Sequence, residues 1–293
     1  MCLRRFVPFL LMPFVGCATG LRQSPSPEPG DLGVLVMAHG GDEGWNEQVR
    51  QAIHGLGARV PTALALGMAN PHSLQAGLDS LAERGVRRVA LVRLFLTGNS
   101  FLAQTEYFLG LTDDPPPAFP MHGGSEGGVP PRLRHSLVIG THAEGLAAWH
   151  GITAIVTDRV EQISVTPSRE VVFIVAHGVG DDRENDRLLA AMDRAAAPVR
   201  ARGFHAVRTV TLREDWEGKR VQVEAGLRSD VERLTREGFK VLVVPYRLSG
   251  FGPYATVLAG LDYTAGEAFL PHAAVTRWIA EQVRTLDSAL REP

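Results

Sequence analysis

The chain has 293 residues, 45% of them hydrophobic and 21% charged, which excludes a disordered chain and suits one large domain or two small ones. Thirty Lys+Arg against 32 Asp+Glu leave a net charge of −2, which argues against a broad electrostatic footprint for nucleic acid, so none is expected as a partner. The 2 cysteines, Cys2 and Cys17, both precede the body, which excludes a disulfide scaffold, a Cys-ligated zinc site and a Cys nucleophile there and leaves His, Asp, Glu or backbone oxygens as the donors for any metal.

Residues 1–16 read as a signal peptide. Arg4 and Arg5 form a basic start, and Phe6 to Val15 is an apolar run interrupted by Pro8 and Pro13. That run is shorter than the ~20 residues a membrane-spanning helix needs. Phe14-Val15-Gly16-Cys17 is similar to a bacterial lipoprotein cleavage box, with Phe in place of the usual Leu. Export to the cell envelope is expected, with the membrane reached only through a lipid anchor at Cys17 and the body facing the periplasm; ordinary secretion is the alternative. Residues 17–31 include the Pro/Ser-rich Gln23-Ser-Pro-Ser-Pro-Glu-Pro-Gly30 and read as a tether.

The body then runs through the same pattern twice. Gly33-Val-Leu-Val-Met-Ala38 is a short apolar run that predicts a buried parallel strand ending at His39-Gly40. An acidic turn, Asp42-Glu43, follows, and a helix is predicted over about Asn46–Leu56. A strand over about Arg59–Leu66 comes next, then a helix ending at Leu81-Ala-Glu-Arg-Gly85, a strand from Val86 to Val92, and the turn Leu96-Thr97-Gly98. Residues 112–134, with Pro115-Pro-Pro and paired glycines, read as a flexible surface insertion. Leu137-Val-Ile-Gly-Thr-His142 predicts a fourth strand whose end opens a helix. In the second half, Val171-Val-Phe-Ile-Val-Ala176 ends at His177-Gly178, and Asp181-Asp182 with Asn185 matches Asp42-Glu43 with Asn46. A helix over about Glu184–Arg202, a strand over about Ala206–Leu212, the helix-Gly-strand unit Leu234 to Val244, and the turn Leu248-Ser249-Gly250 follow in the same order. Ala268-Phe-Leu-Pro-His272 opens the last helix. Strand–helix alternation with buried strands gives a parallel sheet covered on both faces, with right-handed crossovers. The predicted fold is therefore α/β by internal duplication: two flavodoxin- or Rossmann-like lobes, 32–166 and 167–293, each a roughly four-stranded parallel sheet with helices on both faces, around a cleft.

Open parallel sheets bind ligands outside the C-terminal ends of their strands. His39 and His177 fall at that edge after the first strand of each half, and His142 and His272 after the fourth. A neutral imidazole placed there can bind a divalent metal or accept a proton near pH 7. The competing reading for each is a helix cap or a loop hydrogen bond, above all for His142 and His272, which sit where helices start. Of the other histidines, His54, His72, His122, His135, His150 and His205, most read as surface residues, and His150-Gly151, with no strand before it, reads as a turn. Neither HExxH, a P-loop nor a dinucleotide fingerprint occurs; Gly123-Gly-Ser-Glu-Gly-Gly128 has no strand leading into it, and Ser100 and Ser249 lack a Gly-x-Ser-x-Gly elbow.

Two strand-Ala-His-Gly units, a strand followed by a Leu-Phe-Leu turn and a His opening the final helix resemble, as a set, the sirohydrochlorin chelatase family, from Gly33 to the C-terminus. These class II chelatases insert cobalt, iron or nickel into a reduced tetrapyrrole. The resemblance implies a tetrapyrrole as small-molecule partner, a divalent metal (cobalt(II), iron(II) or nickel(II)) as substrate, and no organic cofactor. It implies that His39 is the catalytic, metal-contacting histidine and that His177 is its counterpart and second metal ligand. His142, His272, Arg93 and Arg247 are the substrate-binding candidates, the arginines for the substrate's carboxylates. The sequence departs from the family after the third strand, where Pro-Leu-Phe-Leu-x-x-Gly-x-His is expected. Here Arg93-Leu-Phe-Leu-Thr-Gly-Asn-Ser-Phe101 puts Ser100 or Phe101 at the His position, and Pro245-Tyr-Arg-Leu-Ser-Gly-Phe-Gly-Pro253 also lacks it. Glu106, Tyr254 and Glu267 are candidate replacement ligands. The expected function is metal insertion into a tetrapyrrole; the alternative is a non-catalytic exported metal- or tetrapyrrole-binding lipoprotein on a degenerate chelatase scaffold, which export favours because tetrapyrrole assembly is usually cytoplasmic.

Overall fold

The computed structural model describes residues 30–116 and 130–292; the expected signal peptide, Cys17, the expected tether up to residue 29 and residues 117–129 of the expected insertion lie outside the described residues. The first half runs β1 (Leu32–Ala38), α1 (Glu43–Gly57), β2 (Thr62–Leu66), α2 (Pro71–Glu83), β3 (Arg88–Leu94), α3 (Leu102–Phe108), β4 (Val138–Thr141) and α4 (Ile152–Glu161). The second runs β5 (Glu170–Ala176), α5 (Asp182–Arg200), β6 (Ala206–Thr211), α6 (Glu217–Arg236), β7 (Lys240–Pro245), α7 (Tyr254–Val257), β8 (Thr264–Ala265) and α8 (Ala273–Ala289). Every residue of β3 and β5 is buried, as expected for central strands of a parallel sheet. The helices start where capping chemistry allows: Asp42 and Asp181 accept backbone N–H bonds from Trp45 and Glu184, and Asn70 does so ahead of Pro71 at the first helical position.

The strands form two sheets in the orders β2-β1-β3-β4 and β6-β5-β7-β8, with every pair parallel. In each, the chain reverses direction across the sheet between its first and third strands, so a crevice opens outside the ends of β1 and β3 and another outside β5 and β7. Side-chain alternation divides each sheet between two cores. Leu35, Met37, Val89 and Leu91 face α2 and α3 on one outer side, and Val171, Phe173, Val241 and Val243 face α6 and α7 on the other. Val34, Val36, Ala90, Val92, Val172, Ile174, Leu242 and Val244 all face inward to one shared core, filled by α1, α4, α5 and α8.

The helices of this middle layer are exchanged. Although α4 ends the first half, it packs on α5 and β7 of the second; α8 ends the second half and packs on β3, β4 and α1 of the first. Small Gly140 on β4 leaves room for Leu286 and Leu290 at the end of α8. Polar links fix the exchange. Buried Arg88 on β3 donates to Asp31 at 2.8 Å and to Asp287 of α8 at 2.8 Å. Trp149 Nε1 donates to Glu281 of α8 at 2.8 Å. Arg159 of α4 donates to Glu267 at 3.0 Å and to the Pro271 carbonyl at 2.7 Å.

The fourth strands differ from expectation. His142 does not open a helix: a loop and a 3-10 turn, Leu146–Ala148, separate it from α4. β8 is only two residues long, so His272 lies well beyond it, as the N-cap of α8, with Nδ1 accepting from the Ala274 N–H at 3.1 Å. Its Nε2 faces Asp158 at 3.1 Å. His142 instead forms part of a clamp with Arg93. Its Nε2 accepts the Arg93 backbone N–H at 3.1 Å, its Nδ1 donates to the Glu144 carbonyl at 2.8 Å, and its ring meets Trp278 of α8 edge-on at 5.6 Å. The Arg93 guanidinium, 1% exposed, donates to the carbonyls of His142 at 2.9 Å and Gly98 at 2.8 Å, and also to Ser100. The clamp thus shapes the loop after β3.

Two outcomes follow from this packing. Trp278→Ala, which empties the fully buried centre of α8 against the first sheet, should lower the unfolding free energy by about 3–5 kcal/mol, read from the urea midpoint at constant m. Burial, with the adjacent Arg93 charge, pushes the His142 pKa down from 6.5 to about 4. The unfolded chain then binds the extra proton between those values, so the contribution of neutral His142 is complete above pH 6.5 and is lost as pH falls towards 4. His142→Gln keeps an acceptor for the Arg93 N–H without a titrating ring, and its melting temperature should fall less than the wild type's between pH 6.5 and pH 4.

Candidate active site

The crevices of the two sheets join in one cleft between the halves, with a volume of about 610 Å³. His39 and His177 both line it. The two histidine turns are built alike. β1 and β5 end at Ala38 and Ala176, and the following His is pinned by its own neighbour: His39 Nδ1 lies 2.6 Å from the Gly40 carbonyl, and His177 Nδ1 lies 2.8 Å from that of Gly178. A carbonyl only accepts, so Nδ1 carries the proton in both rings and Nε2 is left to face the cleft chemistry. The turn requires glycine, because Gly40 and Gly178 have φ of +77° and +83°. Behind each turn an asparagine holds the chain: Asn46 Oδ1 accepts from the Gly41 N–H at 3.0 Å, and Asn185 Oδ1 from that of Val179 at 3.3 Å. The Asn46/Asn185 correspondence in the sequence is therefore a matched turn lock.

The halves diverge in what surrounds the imidazole. His39 is exposed and has Trp45 beside it at 6.4 Å. His177 has Trp216 edge-on at 6.1 Å, Asp215 Oδ2 at 3.2 Å and Glu214 Oε2 at 3.8 Å from its Nε2. Once Nδ1 carries the ring proton, Nε2 and the Asp215 oxygen are two acceptors facing each other. An imidazole nitrogen and a carboxylate oxygen so placed are both suited to contact a cation. Glu214, Asp215 and Trp216 follow β6, and the sequence reading missed them. An acidic pair just past a strand, on the edge where such sheets bind ligands, is the signal that marks them. Among the described residues, no group of three or more His, Cys, Asp or Glu could hold a metal ion by itself.

The loops after the third strands wall the cleft. Ser100 and Phe101 line it, so the position expected to carry a second histidine does face the site without one. In the second half, Tyr246, Arg247, Leu248 and Ser249 line it. Ser249 Oγ bonds Gln48 Oε1 of α1 at 2.5 Å, tying the two walls across the cleft. Arg247 reaches the cleft but is committed: Nη1 lies 2.9 and 3.1 Å from the two Glu214 oxygens, and its guanidinium sits over the Tyr254 ring. Gly252 permits this, since a Cβ there would lie 2.8 Å from the guanidinium carbon. Arg247 therefore holds Glu214 beside His177. Of the other expected site residues, Arg93 and His142 are absorbed in the clamp behind the β3 loop, and His272 caps α8. Glu267 pairs with Arg159, Tyr254 is buried beneath Arg247, and Glu106 lies on α3; none of these lines the cleft.

No protein-family profile and no curated protein sequence matches the chain. Among solved structures it is similar to SirB from Bacillus subtilis with Fe3+, at TM-score 0.63 and 15% identity, over 87% of this chain and 95% of that one. It is similar to the sirohydrochlorin chelatase SirB from Bacillus subtilis subspecies spizizenii in complex with cobalt, at TM-score 0.56 and 13% identity, over 88% and 95%. It also matches DR2241 from Deinococcus radiodurans, a multi-domain protein with structural similarity to chelatases, at TM-score 0.54 and 17% identity, over 87% of this chain and 55% of that one. Over 87% of its length, then, this chain folds as the sirohydrochlorin chelatase does.

Proposed function

We propose that the protein is a metal chelatase that inserts a divalent ion (cobalt, iron or nickel) into a tetrapyrrole held in the cleft, with the second half supplying most of the chemistry. The observation that carries this reading is the His177–Asp215 pair, an imidazole nitrogen and a carboxylate oxygen 3.2 Å apart on the cleft wall. Insertion requires that the ion reach the ring nitrogens and that two pyrrole N–H protons leave. His177 Nε2 and His39 Nε2 present neutral imidazole lone pairs, which suit these metals. Asp215, exposed at the cleft wall, offsets the incoming charge and accepts a leaving proton, and Glu214, anchored by Arg247, adds a second carboxylate behind it. Trp45, Phe101 and Trp216 offer apolar faces against which a macrocycle can lie. The resemblance to solved chelatases supports the substrate class.

The test follows the absorbance of sirohydrochlorin with cobalt(II) and the protein, against the uncatalysed rate. The rate enhancement should fall at least about tenfold in His177→Ala and fall also in Asp215→Asn, with His39→Ala affected less than His177→Ala. Cobalt(II) binding should tighten with rising pH, because imidazole and carboxylate ligands bind a metal ion only in their deprotonated forms. Full acceleration in His177→Ala would sink the assignment; binding without any acceleration would favour a carrier on the same scaffold.

The proposal extends to location: export directed by residues 1–16 and a lipid anchor at Cys17. Cys17→Ser should abolish labelling by a radioactive fatty acid and move the protein from the membrane to the soluble fraction. Label retained in that variant would overturn the anchor.

A further inference from the structure

Beside the cleft lies a second hollow of about 270 Å³, which shares Leu96, Thr97, Val179 and Leu188 with it. One wall is the β3–α3 loop and the segment around the 3-10 turn of the first half; the other is α5 of the second. Arg187, Ala191 and Arg194 stand on one face of α5 at i, i+4 and i+7 and line this hollow. The two arginines differ from the others near the cleft. Arg93 is spent on backbone carbonyls, Arg247 on Glu214, and Arg213 on Asp182 and the Gly180 carbonyl. Arg187 and Arg194 are exposed and form no ion pair or hydrogen bond among the described residues. The acid in the same hollow, Glu184, accepts from Asn99 across the gap between the halves at 3.1 Å. Tyr246, on the cleft side, is fully buried and its hydroxyl has no hydrogen-bond partner among the described residues. Burial raises its pKa, and the Arg194 charge acts against that rise, which places the cation near the boundary of the two hollows. The result is a pair of uncommitted guanidinium groups, roughly two helical turns apart, beside the cleft.

We propose that Arg187 and Arg194 form an anion subsite that seats peripheral carboxylates of the substrate, and that they select a many-carboxylate tetrapyrrole over a porphyrin bearing two. The assignment rests on the chelatase reading and replaces Arg93 and Arg247 as the carboxylate-binding arginines. Guanidinium and carboxylate match as paired donors and acceptors, so Arg is the suited residue and Lys a partial substitute. The macrocycle's rim would thus be held by α5, while its centre faces His177 and Asp215.

The test uses the whole protein, with binding read by quenching of tryptophan fluorescence. Metal-free sirohydrochlorin and protoporphyrin are titrated separately into wild type, the Arg187→Gln/Arg194→Gln double variant and the corresponding double Lys variant. The Gln variant should bind sirohydrochlorin about tenfold more weakly and protoporphyrin within about twofold of wild type, with its melting temperature and cobalt(II) affinity unchanged; the Lys variant should recover part of the loss. The wild-type preference for sirohydrochlorin should also shrink as salt is raised. Wild-type sirohydrochlorin affinity in the Gln variant would overturn the subsite and leave the chelatase reading intact. Failure of the wild type to bind sirohydrochlorin at all would overturn the chelatase reading and the subsite with it.

Discussion

The shared layer between the two sheets is the constraint on which the rest of the molecule depends. Each sheet has one face covered by its own half and the other by a layer to which both halves contribute. Because α8 crosses onto β3 and β4 while α4 crosses onto β7 and α5, neither half can close its inner face without a helix from the other. The buried side chains of that layer, Trp278, Ile279 and Ile155 among them, belong to one continuous core with residues of both sheets. Separating the lobes would expose that core and break the buried Arg88–Asp287 link, a cost far above that of sliding two docked domains. The cleft is therefore not a gap between independent bodies. Its two walls are fixed by helices that belong, in sequence, to the opposite side, and the Ser249–Gln48 bond closes the same frame at the rim. His39 and His177 can act on one ligand because this frame holds the ends of β1 and β5 on one cleft.

What was legible in the sequence is what repeats as local chemistry. A buried strand, a histidine, a glycine with positive φ, an acidic helix cap and an asparagine form a unit whose parts touch within a few residues, so both copies could be read as matched turns. The exchange of α4 and α8 was not legible, because periodicity reveals that a helix has an apolar face but not which sheet that face meets. Arg93 shows the same limit. Its place near the end of a central strand suggested a cleft residue, yet strand alternation turns it beneath the loop, where carbonyls of Gly98 and His142 satisfy it. His142 looked like its partner histidine at a strand end; it is a partner, but one that accepts a backbone N–H behind the site. His272 was placed at a fourth strand that the structure shortens to Thr264–Ala265, and the ring serves the helix it precedes. Glu214 and Asp215 escaped because they mark the second strand of their half, whose first-half counterpart, the turn after Leu66, reads Gly67-Met68-Ala69 without an acid.

On the proposed chelatase reading, that last difference accounts for how a duplicated scaffold would carry one reaction. Duplication gives two equivalent histidine turns, and a symmetric pair would present the same environment twice to a substrate that needs two different things. A macrocycle needs an apolar face to lie on, and the reacting centre needs charge and a proton acceptor. The first half has Trp45 and Phe101 beside His39 in the cleft, and a loop after β3 whose polar backbone is tied inward by Arg93. The second half has Asp215 and Glu214 beside His177, with Arg247 holding Glu214 in place. A carboxylate beside an imidazole favours a cation at that end of the cleft over the other. On that reading the absence of a histidine at Ser100 and Phe101 is compatible with metal chemistry, since the carboxylates that would attract a cation stand in the opposite half. Each half has the turn that aims an imidazole at the cleft, and on the proposed reading the side chains around the turn set which imidazole borders a macrocycle and which receives an ion.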